Sequence, residues 1–390
     1  MATKKNEKPP EAGRLHSLDA YRGLVMFFLA ASGFGIAAAA KKAGGDAAPE
    51  WLQTLAFHNS HPEWVSQFHF LGLSIWDMIQ PSFMFIVGVS MPWSYAKRAS
   101  LGHSWSKRAR HAWGRAFVLT LLGVFLQSMR KPETNWLFTN VLSQIGLGYG
   151  LLFFLVGKRF RLQGLVAAVV LIGTWLAFVL YPAPEGTAGL AAHFQQGTNA
   201  FEAFDRWFLN LFPRSKPFEG HPGGYATLNF VPAFVTMLFG VMCGQLLRDK
   251  DRRHREKLRK LAIAGVIGLL IGAVLGATEI CPVVKRIWTP SWALFSGGYC
   301  VLLLALLFWI VDMCGFRKWT FPFVVVGMNP ITAYFMSMTI RRWTGDQFKT
   351  HLPSTWFEGA GGIVLESCLV MAFFWLVLWW MYRNRVFVRI

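Results

Sequence analysis

The chain has 390 residues, of which 54% are hydrophobic and 16% aromatic, and it carries 39 lysines and arginines against 20 aspartates and glutamates. A soluble protein does not distribute its apolar residues in repeated stretches of membrane length, so an ordinary soluble fold is excluded. The net charge of +19 does not mark a nucleic-acid binder. The basic residues fall in alternate gaps between the apolar runs, where they act as cytoplasmic anchors beside an anionic leaflet.

One crossing of about 30 Å of hydrocarbon needs roughly 20 residues. On that measure spans are predicted over 20–40, 73–94, 112–128, 139–157, 163–181, 229–247, 261–279, 291–311, 321–340 and 360–382. The predicted fold class is all-α, a polytopic membrane protein with about 10 transmembrane helices. The first apolar run begins near Leu24 without a small-residue cleavage signal, so it reads as a retained span. With the N terminus inside, the inner segments hold 26 lysines and arginines and the outer segments 12, with Arg22 inside the first span. That bias predicts both termini in the cytoplasm. Nothing resembles an organelle-targeting extension, which points to a plasma membrane, in bacteria the inner one.

Two outer loops are too long to be simple connectors. Residues 41–72 contain His58, His61 and His69, and residues 182–228 contain His193, His221 and the turn Pro222-Gly-Gly-Tyr225. Their aromatic content argues against disorder. The inner run 248–260 holds eight basic residues and reads as a headgroup anchor, with no nucleic-acid partner expected. The five cysteines, Cys243, Cys281, Cys300, Cys314 and Cys368, are far apart and odd in number. They suggest neither a disulfide framework nor a metal site.

Polar residues inside apolar runs are costly and call for a reason. Asp19 and Arg22 are three apart in the stretch Arg14-Leu-His-Ser-Leu-Asp-Ala-Tyr-Arg22-Gly23, so a helix pairs them on one face. That pair serves either as a snorkelling interface anchor or as part of an inward pocket for an anionic cofactor. In the second span, Asp77, Gln80 and Ser82 surround Pro81, which predicts a kink or a polar lining. Asp77 suits orienting a histidine, binding a polar substrate, forming an internal salt bridge, or capping the helix. Asn329-Pro330 interrupts the ninth span and fits a structural kink as well as it fits a pocket. Glu279 and Glu366 are further acids in the outer halves of their spans, Glu366 the deeper.

Together these segments resemble the transmembrane heparan-alpha-glucosaminide N-acetyltransferase family and its bacterial relatives of unknown substrate. The resemblance is carried by Arg14-Leu-His-Ser-Leu-Asp-Ala-Tyr-Arg-Gly23 and by Trp76-Asp with Pro81-Ser-Phe-Met-Phe-Ile-Val-Gly88. It continues in Gly223-Gly-Tyr-Ala-Thr-Leu-Asn-Phe-Val-Pro232, Lys285-Arg-Ile-Trp-Thr-Pro-Ser291 and Gly327-Met-Asn-Pro330, and covers essentially the whole membrane domain.

The resemblance implies a single transmembrane acyltransferase domain over 18–390, after a cytoplasmic tail over 1–17. It implies transfer of acetyl from cytoplasmic acetyl-CoA to an amine or hydroxyl of a sugar or glycan outside, with no metal. The family's histidine lies five residues before the glycine that opens span two, in His-x-x-Trp-x-Gly. Here that position is Gln67, while His69 is three before Gly72 and His61-Pro-Glu-Trp64 keeps the His-x-x-Trp spacing. His61 and His69 are both candidate general bases, with Asp77 holding the imidazole. Arg14, Asp19, Arg22 and Asn329 are the expected cofactor-side residues, Arg22 on the CoA phosphates. Gln80, His221, Tyr225 and Glu366 are the expected acceptor-side residues. Membrane lipids are expected partners, and the resemblance allows a homodimer. A saccharide or lipid-linked transporter uses the same broken helices and intramembrane acids, and a non-catalytic membrane protein of the same fold is a third reading. No internal repeat between the two halves favours transport.

Overall fold

The computed structural model describes residues 15–61, 64–65 and 74–388. Fifteen α-helices and no strands are found among them. In chain order they are α1 (His16–Ala31), α2 (Ile36–Lys42), α3 (Glu50–His58), α4 (Ile79–Ser100) and α5 (Trp105–Ser128). Next come α6 (Val141–Phe153), α7 (Phe160–Val179), α8 (Ala200–Phe208), α9 (Phe230–Arg248) and α10 (His254–Ala277). The last five are α11 (Pro290–Leu307), α12 (Phe321–Gly327), α13 (Pro330–Thr339), α14 (Arg341–His351) and α15 (Gly359–Arg383).

A helix lies at each of the ten predicted spans. Among the described residues six segments are long and apolar enough to cross a membrane, and a seventh if the bent pair α12–α13 counts as one span. Of the remaining three, α4 and α5 have 22 and 24 residues, which is enough length to cross. Their compositions are diluted by Gln80, Ser82, Lys97 and Arg98 in α4 and by Lys107, Arg108, Arg110 and Arg115 in α5. The third, α6, has 13 residues. On α5, α7 and α10 large apolar side chains such as Phe117, Val169, Ile172, Ile267 and Val274 stand exposed, as expected for surfaces facing lipid rather than water.

The bundle is built around α4 and α9. Gly88 of α4 and Gly240 of α9 bring the two backbones together so closely that a Cβ on Gly88 would collide with the Met237 carbonyl. Small residues at such a contact replace the hydrophobic drive that lipid removes. Around this seam pack Phe85, Ile86, Val89, Met237 and Val241, all fully buried.

The first span is broken, which its sequence did not predict. Ser32, Gly33, Phe34 and Gly35 all have φ between 51° and 68°, and the chain turns before resuming as α2. The carbonyls of Ala30 and Ala31, freed at this break, accept hydrogen bonds from the Arg341 guanidinium at 2.6 and 3.1 Å. At the other end of α1, the Asp312 carboxylate caps the helix by accepting from the backbone N–H of His16 and Ser17.

The Asn329-Pro330 break is where the sequence placed it, and the two halves meet at 67°. Of the two readings of Pro81, its place in the first turn of α4 removes the reason for a kink, because a backbone N–H there has no intrahelical partner, and the neighbouring Gln80 gives a polar lining.

Candidate functional site

Two cavities open on opposite ends of the same three helices. The outer one encloses about 310 Å³ and is lined by Ile79 and Gln80 of α4, Val141 of α6 and Tyr334, Ser337 and Met338 of α13. His61, Trp76, Asn140, Tyr225, Lys285 and Arg341 complete its wall. The inner one encloses about 660 Å³ and continues down the same helices, with Phe83, Ile86 and Ser90 of α4, Leu142, Ile145 and Tyr149 of α6 and Pro330 and Ile331 of α13. Gln80 and Phe83 are one helical turn apart, about 4.5 Å along the axis. Val141 and Leu142 are sequence neighbours. At this partition the Asn140 amide donates to the Tyr334 hydroxyl at 3.0 Å.

The outer cavity holds a histidine–aspartate pair. His61 Nδ1 lies 2.8 Å from Asp77 Oδ1, and Asp77 is buried at the short turn Trp76–Met78 that leads into α4. Its place is fixed from behind, because the Asp77 backbone N–H donates to Ser74 Oγ at 3.0 Å. On the other side of the ring, the Trp76 indole N–H donates to His61 Nε2 at 3.2 Å. A ring that accepts at Nε2 and faces a carboxylate at Nδ1 carries its proton on Nδ1. The Nε2 lone pair is then the one available to a substrate, once the indole gives way.

A third group enters the pair. Lys285, from the loop between α10 and α11, places its ammonium 2.9 Å from Asp77 Oδ1 and 3.1 Å from His61 Nδ1. Burial pulls this ammonium below its ordinary value, and the adjacent Asp77 carboxylate pulls it back up.

The inner cavity is cationic. Arg22, Lys97, Arg98 and Arg115 line it, with Asp19 as the acid beside them. Asp19 and Arg22 form the predicted pair, 3.6 Å apart, and Arg22 also donates to Ser90 Oγ at 2.7 Å. Arg98 reaches His111 Nε2 at 2.7 Å, and Arg115 lies over the Tyr149 ring at 5.0 Å. The Nε atoms of Arg98 and Arg115 are buried without a hydrogen-bond partner. Donors of this kind, on planar guanidinium groups at the mouth of a cavity, suit phosphate oxygens.

The remaining sequence-predicted residues divide clearly. Gln80 and Tyr225 line the outer cavity with His61. His221 stacks edge-on against Tyr225 at 5.4 Å, one layer behind the wall, and its Nδ1 accepts from the Gly223 N–H. Burial lowers the His221 imidazole and pushes the Tyr225 phenol up to about 12. Asn329 faces neither cavity. Its amide donates to the Val386 carbonyl and accepts from the Val388 N–H, both at 3.0 Å, so it clamps the C-terminal segment whose Phe387 and Val388 wall the inner cavity. Glu366 is paired with Lys349 at 2.8 Å and lines a separate outer recess with Arg130, Arg341 and Arg342. His69 and Arg14 lie outside the described residues. No group of His, Cys, Asp and Glu suited to a metal ion occurs among the described residues.

Three contributors were not singled out from sequence. Lys285 is 208 positions from Asp77, and Asn140 is 194 from Tyr334. No periodic signal connects such pairs. Trp76 stood in the motif next to Asp77, but its bond to His61 needed the loop to fold back.

Comparison with known proteins adds the family. The model of the heparan-alpha-glucosaminide N-acetyltransferase catalytic region matches residues 52–274, which include the His61–Asp77 pair and α4 to α9 with much of α10. The mouse heparan-alpha-glucosaminide N-acetyltransferase is 22% identical over 429 aligned residues, covering 97% of this chain and 61% of that protein. The human one is 23% identical over 427, covering 97% and 60%. The chain thus spans about 60% of the length of the curated relatives it matches. With a match across more than half its length and helices in every predicted span, the chain belongs to the heparan-alpha-glucosaminide N-acetyltransferase family, a family of membrane acetyltransferases.

Proposed function

We propose that the protein is a membrane acyltransferase that takes an acetyl group from cytoplasmic acetyl-CoA and delivers it to an amine or hydroxyl of a sugar or glycan outside. The observation that carries this reading is the stacking of the two cavities along α4, α6 and α13, one cationic and one holding His61 and Asp77, with about one helical turn between them. A transporter would need the same path to open from end to end.

The inner cavity fits the donor by its chemistry. Arg22, Lys97, Arg98 and Arg115 would hold the nucleotide phosphates, and the apolar partition of Phe83, Leu142 and Ile145 would take the pantetheine arm. Bound there, acetyl-CoA supplies an activated thioester. The protein's own part is positioning and proton transfer. His61 Nε2 would accept the proton of the acceptor's amine or hydroxyl as its N or O bonds to the acetyl carbon, while Asp77 holds Nδ1–H and balances the imidazolium that forms. The C–S bond would break, and the proton would pass to the departing thiolate. Gln80 and Tyr225 would orient the acceptor. Asp19 would keep Arg22 aimed into the inner cavity. His69 is a second candidate base.

With this chemistry we propose ten crossings with both ends in the cytoplasm, the bias of lysines and arginines supporting that orientation, and one membrane domain over 18–390 in a plasma membrane of the bacterial inner type. Under this topology α4 and α6 cross inside the bundle, where polar residues line cavities, while α5 crosses at its edge with an apolar face toward lipid. A homodimer is compatible with the exposed helix faces.

The deciding experiment is calorimetry of acetyl-CoA binding to the detergent-solubilised protein and to Arg22→Ala. Saturable binding that the substitution weakens supports the inner cavity, and an acceptor screen with His61→Ala and His69→Ala then assigns the base. Absence of binding to folded, monodisperse protein defeats the reading.

A further inference from the structure

The His61–Asp77 pair is unusual in having a lysine inside it. Lys285 Nζ is 2.9 Å from the same Asp77 oxygen that His61 Nδ1 approaches at 2.8 Å, and the two nitrogens are 3.1 Å apart. Both are donors converging on one acceptor. The lysine side chain is 6% exposed and the aspartate 5%. Among the described residues the acceptor of this ammonium is Asp77 Oδ1.

The lysine is also held in place by its loop. Val284, Ile287 and Trp288 around it are buried, and Trp288 adopts a left-handed φ of 49°. The Thr289 hydroxyl accepts from the Val284 N–H and from the Trp292 N–H, tying the loop to the first turn of α11. An ammonium so fixed does not swing away when the imidazole changes charge.

We propose that Lys285 is a positioning residue of the reaction centre: its ammonium shares Asp77 Oδ1 with His61, so that the ring keeps its proton on Nδ1 and its lone pair on Nε2, where the Trp76 indole now meets it. The inference rests on the reading of His61 as the base. A lone buried carboxylate beside a histidine favours the doubly protonated ring, which has no lone pair to offer. A cation on the same oxygen cancels most of that pull and disfavours a second positive charge next to it. The other charged or titratable groups around the ring do not replace it. Arg341 of α14 is committed to the Ala30 and Ala31 carbonyls. Arg286, the neighbour of Lys285, reaches the Gly223 carbonyl. The Tyr334 hydroxyl takes the Asn140 amide, and Tyr225 and His221 meet each other edge to face.

The test uses the full chain in lipid nanodiscs, as native protein, Lys285→Met and Lys285→Arg, with ¹⁵N-labelled histidine and His61→Gln to identify the His61 signals. At neutral pH the native ring should show the Nδ1–H tautomer, Lys285→Met the doubly protonated ring, and Lys285→Arg the native pattern. If the protein transfers acetyl groups, the acidic limb of kcat/KM should move to higher pH in Lys285→Met by about 1 to 3 units, the span an adjacent charge commands. KM for acetyl-CoA should stay unchanged. Native His61 signals and an unmoved acidic limb in folded Lys285→Met overturn the proposal. A native protein without acyl transfer defeats the functional reading alone, and the tautomer still decides the role of Lys285. If Lys285→Met does not fold, Lys285→Gln carries the same comparison.

Discussion

His61 and Asp77 are sixteen residues apart in sequence and 2.8 Å apart in space, and the ring meets the carboxylate through Nδ1 while its other nitrogen accepts from the Trp76 indole. That relationship separates holding the imidazole from using it. Asp77→Asn should therefore leave acetyl-CoA binding intact and lower turnover by about 10²- to 10⁴-fold, the usual worth of a positioned general base. Calorimetry and steady-state kinetics on the same preparation check both halves. Asp77→Ala should also destabilise the protein by about 3–5 kcal/mol, because it leaves the Lys285 ammonium buried and unpaired.

At the cationic cavity the prediction is electrostatic. Arg98→Gln and Arg115→Gln should each weaken acetyl-CoA by roughly 10- to 100-fold, as expected for a lost hydrogen bond to a charged group. Dephospho- and depyrophosphorylated donor fragments should lose less. Lys349→Gln, at the outer recess with Glu366, should leave donor affinity at the native value. Equal effects of all three substitutions would mean that binding responds to net charge and not to the cavity.

How much of this could be read from sequence depended on range. The Asp19–Arg22 pair follows from a three-residue spacing, and the break at Asn329-Pro330 follows from proline's missing N–H, so both were legible. The apolar runs gave the helices for the same reason. The break at Ser32–Gly35 was not legible, because its left-handed turn is held by tertiary contacts. A Cβ on Gly33 would meet Asn59, and one on Gly35 would meet Ser367 of α15. Asn329 was expected at the cofactor, yet its amide is occupied by a chain segment 57 residues further on. Glu366 had no sequence partner because Lys349 reaches it from another helix. Between His61 and His69, spacing could not choose; the fold puts His61 on Asp77, and His69 lies outside the described residues.

Topology can be tested with single cysteines. In a background with Cys243, Cys281, Cys300, Cys314 and Cys368 replaced, Glu185→Cys lies in the outer loop after α7 and Asp251→Cys in the basic loop after α9, and both positions are exposed. An impermeant maleimide added to intact cells should label position 185 and not 251. Inverted vesicles should reverse the pattern. Labelling of both positions from one side would remove an odd number of crossings between them and break the ten-span arrangement.

The α4–α9 seam gives a stability prediction. Gly88→Ala places a methyl group against the Met237 carbonyl, and a backbone atom cannot rotate aside as a side chain can. The substitution should cost about 1–3 kcal/mol or more and lower the thermal midpoint of the purified protein. Gly173→Ala, in α7, meets nothing within 4 Å and should be neutral or slightly stabilising.

The outer loop offers a pH-dependent counterpart. Asp205, buried in α8, accepts a hydrogen bond from the Thr227 N–H at 2.8 Å, and burial raises its carboxyl to about 6. An acid whose value is higher folded than unfolded binds its proton more tightly in the folded state. Its contribution to stability is therefore full at low pH and is lost as pH rises from about 4 to about 6, up to roughly 3 kcal/mol. The segment 182–228 should exchange amide hydrogens more readily above pH 6 than at pH 5, after correction for the intrinsic rate. Asp205→Asn keeps an acceptor for the Thr227 N–H but cannot ionise, so it should flatten that dependence and protect the loop at neutral pH. A dependence that survives the substitution would move the titration to another group, with Glu202, also buried and raised by burial, the first to replace.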